Sequence, residues 1–213
     1  MPAAPVAIMA GGIPFNLIGM TLVPPGSVVD KFQDAMVLAR EKLAQSYAIL
    51  SSGRSLTHLQ AFVLEYSFNI KLGTQAPVAM TTICNGLKAT LDGLRTDGLN
   101  ICEPDPAIMA QHPGAEGYVM RIPGLGAYFR GDIHTQFDLG LPRTAHNMIH
   151  EATHKFWGTL DKGYIGNSIQ NWLQVRIAHD LDGASPMPKK ATDLASPNAL
   201  VNADSYATLA MNV

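Results

Sequence analysis

The sequence predicts an α+β fold that is mainly helical and carries a small sheet. Apolar residues recur at helical spacing through most of the first hundred positions, as a buried helix face requires. Between residues 100 and 141 glycine and proline become frequent and the apolar runs shorten, which is typical of strands and turns. Helical spacing then returns over residues 143–157.

Each of these patterns marks particular elements. Ser27 and Asp30 have the spacing of a capping box ahead of the first apolar stripe, and Gly53 follows its end. The predicted helices are residues 27–50, 55–73, 77–94, 143–157, 168–179 and 197–213. The predicted strands are residues 117–122, 127–130 and 133–139.

The composition is that of a folded domain. The chain has 213 residues, of which 47% are hydrophobic and 15% charged, with a formal net charge of -2. So small a charge argues against a nucleic-acid partner, which would need a basic face. No apolar run reaches about 18 residues, so we expect no membrane span. Cys84 and Cys102 are too few for a disulfide framework, and their pairing is left open.

The first 26 residues are apolar and contain no lysine or arginine; the first basic side chain is Lys31. A secretory signal needs a basic start and an unbroken apolar stretch, but glycine and proline interrupt this one. We therefore predict an apolar N-terminal extension over residues 1–26, partly strand, laid over one domain at residues 27–213. Whether the extension covers a functional cleft is left open.

Residues 150–154 read His-Glu-Ala-Thr-His, the HExxH pattern. Histidines four positions apart on a helix project about 40° from each other, so both imidazoles can reach one ion. Glu151 is turned about 100° from His150, so it can miss a metal and still reach a water bound to it. The pattern predicts zinc held by His150 and His154, with Glu151 as the general base.

A third histidine, His146, precedes His150 by four positions, but no acid follows it. We therefore assign the ligands to the later pair and expect His146 to be a surface group or to support a ligand. The opposite face of this helix is apolar, which indicates that one side is buried and the other presents ligands. The apolar positions are Ala145, Met148, Ile149, Ala152 and Phe156.

Catalytic zinc takes three protein ligands and keeps one position for water. Asp161 lies seven residues after His154, beyond Gly158, which can end the helix and let the chain turn back under the metal. Tyr164 follows in the same loop and could donate a hydrogen bond to a developing oxyanion. The alternative is a capping turn with a solvated aspartate and tyrosine.

Three segments, IHEATH (149–154), GTLDKGY (158–164) and NADSYATLA (202–210), resemble the landmarks of the aspzincin metallopeptidases. This family includes deuterolysin and the peptidyl-Lys metalloendopeptidases, and the resemblance covers about residues 143–213. It implies a zincin-like fold with the sheet beside the active-site helix. It also implies one Zn2+ per chain on His150, His154 and Asp161, with Glu151 as base and Tyr164 stabilising the transition state.

The sequence departs from the family at two points. Ile165 separates Tyr164 from Gly166, whereas the family's tyrosine is followed directly by glycine. In the lysine-specific members, an aspartate and a glutamate three residues later bind the substrate's lysine side chain. Asp204 matches that aspartate, but Ala207 stands at the position of the glutamate. The resemblance therefore implies substrate binding by Asp204 and a weakened preference for lysine.

These residues predict a zinc-dependent metalloendopeptidase that hydrolyses peptide bonds with a zinc-bound water activated by Glu151. Its partner would be a peptide or protein substrate, which we expect to pair with an edge strand within residues 117–129. The alternatives are a non-catalytic zinc-stabilised binding or effector module and a zinc amidase acting on cell-wall peptide. We expect an exported protein without an evident signal peptide, with the cytoplasm as the alternative; the oligomeric state is not indicated.

Overall fold

Helices and strands are interspersed along the chain, which has an α+β fold. The computed structural model describes residues 5–19, 27–68, 70, 76–121, 130–137, 139–161 and 199–213. The strands in these ranges are β1 (Val6–Ala10), β2 (Ile13–Ile18), β3 (Leu99–Cys102), β4 (Gly117–Arg121) and β5 (Arg130–Thr135). The helices are α1 (Ser27–Ser51), α2 (His58–Phe68), α3 (Ala76–Leu94), α4 (Pro106–Met109), α5 (Leu141–Trp157) and α6 (Ala203–Asn212).

The five strands form one mixed sheet in the order β1-β2-β3-β5-β4. The inner pairings, β2 with β3 and β3 with β5, are parallel. The outer strands β1 and β4 run antiparallel to their neighbours, with Gly117 opposite Thr135 in the pair of β4 with β5. Within the described residues β4 therefore ends the sheet, and its outer backbone edge has no strand partner.

Helices α1 and α5 pack against the sheet and form the core with it. Side chains alternate along β2, so Phe15 and Leu17 are fully buried while Asn16 between them is partly exposed. Helix α5 contacts α1, α3, α6 and β5. Its fully buried apolar side chains are Ala145, Met148, Ile149 and Ala152. Burying a methionine or isoleucine stabilises the fold by about 1.5–3 kcal/mol, so this face fixes α5 against the sheet.

Residues 5–19, expected in an extension laid over the domain, contribute two strands to the sheet. β1 lies at the opposite end of the sheet from β4, and β2 joins it to β3 by pairing with β3 in parallel. The buried guanidinium of Arg40 ties this segment to the core, because Nη1 donates to the carbonyl of Ala10 at 2.6 Å and Nε donates to that of Leu94 at 2.8 Å. The domain boundary at residue 26 stays a prediction.

Helices α1, α3 and α5 lie where the apolar stripes predicted them. Helix α2 is shorter than predicted, and its capping residues explain the later start. The N–H of Gln60 donates to the hydroxyl of Thr57 at 3.2 Å, and the N–H of Thr57 donates to the side-chain oxygen of Gln60 at 3.0 Å. This reciprocal pair is a capping box, so the helix begins at His58 rather than at residue 55.

The last helix begins at Ala203, because residues 200–202 form a turn and a bridge that interrupt the helix predicted over residues 197–213; residues 197–198, where that helix was expected to start, lie outside the described residues. The N–H of Leu160 donates to the carbonyl of Val201 at 2.8 Å, and the N–H of Ala203 donates to that of Leu160 at 3.1 Å. These bonds hold residues 201–203 in an extended bridge and delay the helix.

Strand β5 spans Arg130–Thr135 instead of residues 133–139. The predicted helix at 168–179 and residues 127–129 of a predicted strand lie outside the described residues.

Cys84 on α3 and Cys102 on β3 are free cysteines. Burial raises the pKa of both thiols, that of Cys102 to about 11, so both stay protonated at neutral pH. In the part of the chain that the structure describes, no helix combines the length and hydropathy that crossing a membrane requires.

Candidate metal centre

After helix α5 ends, the chain folds back along the last turn of the helix. Gly158 has φ 73°, in the left-handed region that favours glycine, and its N–H donates to the carbonyl of Thr153. The N–H of Thr159 also donates to this carbonyl, at 3.3 Å, and the hydroxyl oxygens of Thr153 and Thr159 lie 2.7 Å apart. These bonds fold residues 159–161 back along the helix and place Asp161 beside it.

His150, His154 and Asp161 direct one donor atom each towards a common point. The Nε2 atoms of the two histidines are 3.2 Å apart. Oδ1 of Asp161 lies 3.0 Å from Nε2 of His150 and 3.2 Å from that of His154. Ligand atoms around a tetrahedral zinc, with bonds of about 2.0–2.1 Å, are separated by about 3.3 Å. The triangle therefore fits a zinc ion, and the described residues contain no second group of this kind.

The ring of His154 is oriented by the returning loop. Its Nδ1 lies 2.9 Å from the carbonyl oxygen of Thr159. Since a carbonyl only accepts, Nδ1 carries the proton and Nε2 keeps its lone pair for the centre. Histidine ligands of metals commonly donate their second N–H to a carbonyl or carboxylate in this way. Thr159 thus fixes both the tautomer and the direction of the ring.

The charges of the centre favour a cation. Burial alone would lower the pKa of His150, but the carboxylates of Asp161, Asp204 and Glu151 outweigh it and raise the pKa to about 10. His150, which donates a hydrogen bond to Asp161, and the adjacent imidazole of His154 hold the pKa of Asp161 well below its usual range. In the metal-free protein a proton on His150 therefore supplies the positive charge that these carboxylates attract.

Glu151 is buried next to this triangle, with 3% of its surface exposed. Its Oε2 has no hydrogen-bond partner among the described residues. Burial raises the pKa of this carboxyl to about 7, and the neighbouring histidines only partly counteract that effect. Buried polar atoms normally have a partner, so Oε2 is available to a group that the protein itself does not supply.

Strand β4 passes directly beside this carboxylate. A Cβ at Gly117 would lie 2.9 Å from Oε1 of Glu151 and 3.0 Å from Nδ2 of Asn147. Asn147 donates to the carbonyl of Glu116 at 3.1 Å and to the hydroxyl of Thr135 at 2.6 Å. These bonds tie α5 to the residue before β4 and to the end of β5. Glycine at position 117 therefore allows the backbone of β4 to approach Glu151 this closely.

Asp204 lies in the first turn of α6 and is almost fully buried. Its Oδ1 is 3.5 Å from Nδ1 of His150 and 3.5 Å from Nε2 of His146. Ala207, at the position of the expected pocket glutamate, is fully buried in the core. The substrate-binding role of Asp204 stays a prediction; its contacts with the two histidines were not anticipated from the sequence.

Other residues of the centre were not anticipated either. Gly117 leaves space beside Glu151, Asn147 ties the preceding helical turn to the strand residues, and Thr159 orients a ligand. A polar residue such as Asn147 on a turn flanked by apolar positions is a sequence signal for a buried contact, but it does not identify the partner. Tyr164 lies outside the described residues, so its role in the transition state stays a prediction.

Comparison with protein-family models and with curated proteins found no match to this chain. The similarity of residues 149–154, 158–164 and 202–210 to the aspzincin motifs therefore stays a resemblance. Any functional assignment depends on the residues and distances given above.

Proposed function

We propose that this chain is a zinc-dependent metalloendopeptidase of the aspzincin type, with a zincin-like fold. The observation that carries the proposal is the triangle of ligand atoms of His150, His154 and Asp161, with separations of 3.0–3.2 Å. Beside it lies Oε2 of Glu151, which has no hydrogen-bond partner among the described residues. Two histidines and one carboxylate are a ligand set of catalytic zinc, which leaves the fourth position open. A structural zinc site would fill that position with a protein ligand, usually cysteine.

Each residue of the centre has a role in peptide hydrolysis. When bound, zinc would lower the pKa of a water ligand towards about 7 and polarise the scissile carbonyl. Glu151, whose pKa burial raises to about 7, would accept the proton of the attacking water and pass it to the leaving amine. Tyr164 would donate a hydrogen bond to the developing oxyanion.

The outer edge of β4 is the proposed substrate-binding surface. An extended peptide can add to an exposed sheet edge through backbone hydrogen bonds, independent of its side chains. Because Gly117 lies against Glu151, a peptide paired there would run next to the proposed base. The preference for lysine depends on Asp204 alone, so we propose that it is weak. Paired substrates with lysine or norleucine next to the cleaved bond, on either side of it, measure this preference directly.

The test is to incubate the zinc-loaded protein with a denatured proteome, with and without a zinc chelator, and to sequence the new peptide termini by mass spectrometry. We expect new termini that disappear with the chelator and return when zinc is added back. Fully zinc-loaded protein that produces no new termini would exclude the endopeptidase function.

A further inference from the structure

A single carboxylate lies between two imidazoles on α5. His146 and His150 are one helical turn apart, and Oδ1 of Asp204 is 3.5 Å from Nε2 of the first and from Nδ1 of the second. The side chain of Asp204 is 6% exposed, and that of His150 is 7% exposed. Burying a carboxylate is costly unless it is paired, so this position needs a physical reason.

The backbone couples Asp204 to the proposed ligand Asp161. The extended bridge joins the segment before α6 to the loop after α5, through the bonds of Leu160 with Val201 and Ala203. Asp161 follows directly on one side of this bridge, and Asp204 follows directly on the other. The two carboxylates therefore reach the same imidazole from opposite sides, Asp161 at Nε2 and Asp204 at Nδ1.

This arrangement has a chemical consequence for a metal ligand. A carboxylate at Nδ1 accepts a hydrogen bond from the ring N–H. The proton therefore stays on Nδ1, the lone pair of Nε2 is left for the metal, and Nε2 becomes more basic. His154 obtains the same support from the carbonyl of Thr159. The two proposed histidine ligands would thus each be oriented by an acceptor, with the charged acceptor on His150.

We propose that Asp204 is a positioning residue of the zinc centre, which holds Nδ1–H of His150 so that Nε2 faces the metal. The inference rests on the proposed function of that centre and specifies a role for Asp204 other than a lysine pocket. His146 would hold the other side of the carboxylate and prevent it from turning away from His150.

The test compares the zinc affinities of Asp204→Asn and Asp92→Asn by competition with a chelator of known affinity. Asp92 is an exposed aspartate in α3, paired with Lys88, so its variant is matched in chemistry but remote from the centre. We expect Asp204→Asn to weaken zinc binding about 10- to 100-fold, the scale of losing a carboxylate that supports a histidine ligand. The Asp92 variant should bind zinc like the wild type.

Cobalt(II) in place of zinc gives a second readout that a general packing defect would not reproduce. We expect Asp204→Asn to shift the cobalt ligand-field bands, and Asp204→Glu to restore part of both the spectrum and the affinity. Circular dichroism of the metal-free variants checks folding.

If Asp204→Asn does not fold, nitrogen NMR of the zinc-loaded wild type tests the positioning role instead. An exchange-protected proton on Nδ1 of His150 supports the inference, and its absence overturns it.

The outcomes separate this inference from the proposed function. Unchanged zinc affinity in a folded Asp204→Asn protein overturns the positioning role, and loss of lysine preference in that protein would assign Asp204 to the pocket. A wild type that binds zinc but cleaves nothing overturns the endopeptidase function and leaves the positioning role to the affinity measurement. A wild type that never binds zinc overturns both.

Discussion

Glu151 illustrates how single residues depart from what stability alone would select. Its Oε2 is buried and unpaired in the described residues, and burial raises its pKa to about 7. Leaving a buried polar atom unpaired costs about 1–3 kcal/mol. General-base catalysis, in contrast, works best with a pKa near the working pH. The cost is thus consistent with a catalytic group rather than with a structural one.

Removing this charge should separate catalysis from metal binding. We expect Glu151→Gln to retain zinc and to cleave about 100- to 10,000-fold more slowly, the scale of losing general acid–base catalysis. Initial rates on a peptide substrate and zinc analysis of the same sample provide the measurement. Glu41→Gln, at an exposed position on α1, is the control. A normal rate in the Glu151 variant would remove this residue from the mechanism.

Gly117 should affect the catalytic rate, because its lack of a Cβ leaves space for Glu151. A Cβ there would lie 2.5 Å from the carbonyl of His134 and 2.9 Å from Oε1 of Glu151, so β4 or the base must shift. Misplacement of a reacting group by about 1 Å can lower the rate about 100-fold. We expect Gly117→Ala to lower kcat with little effect on zinc affinity.

The matched control for this substitution is Gly131→Ala on the neighbouring strand β5. A Cβ at Gly131 meets only the carbonyl of Met120, at 3.5 Å, which is an ordinary contact. Equal kcat values for the two alanine variants would show that the approach of β4 to Glu151 has no catalytic consequence.

At the scale of elements, local signals explain which parts could be predicted. The apolar stripe of α5 and the glycine that ends it are adjacent in sequence, so the helix and the proximity of Asp161 to it followed from the residues. The contact of Asp204 with His150 depends on α6 packing against α5, which no local pattern specifies. The interruption before α6 was missed for the same reason, because a bridge between Leu160 and Asn202 breaks the predicted helix there.

The cap of α5 gives a prediction at this scale. Gly158 and Gly53 have φ of 73° and 67°, so alanine at either position is strained. A left-handed conformation costs an ordinary residue about 1–2 kcal/mol, and we expect both alanine variants to lose that amount of unfolding free energy in urea titrations. Only Gly158→Ala should also weaken zinc binding, since its cap returns Asp161 to the histidines. If Gly158→Ala bound zinc as tightly as the wild type, the cap would not be needed to position Asp161.

At the scale of the molecule, the sheet was the least predictable part. β1, β2 and β3 are short, and β2 pairs in parallel with a strand more than eighty residues away. Such pairing leaves no periodic signal in the sequence, because it depends on how the intervening helices pack. The helical content could be predicted, whereas the incorporation of residues 5–19 into the sheet could not.

The stability of the metal-free fold should depend on pH through His150 and Asp161. His150 has its pKa raised to about 10 by nearby carboxylates despite burial, so its contribution to the metal-free fold is complete below about 6.5 and is lost as the pH rises towards 10. The pKa of Asp161 is lowered, so its contribution is present above about 4 and is lost in stronger acid.

Calorimetry at about pH 6 and about pH 9 measures this effect. We expect the Tm of the metal-free protein to fall over this interval, while the stabilisation by zinc increases because competition from protons for His150 weakens as the pH rises. A zinc effect that does not change with pH would contradict the role of His150 as a ligand.

We propose above all that His150, His154 and Asp161 together bind one zinc ion per chain. X-ray absorption at the zinc edge, on protein loaded with one equivalent of metal, measures the ligands directly. We expect two imidazoles with the remaining scatterers oxygen, and loss of the bound zinc in Asp161→Ala. A spectrum with sulfur ligands, or an Asp161→Ala protein that retains zinc with an unchanged spectrum, would contradict the claim.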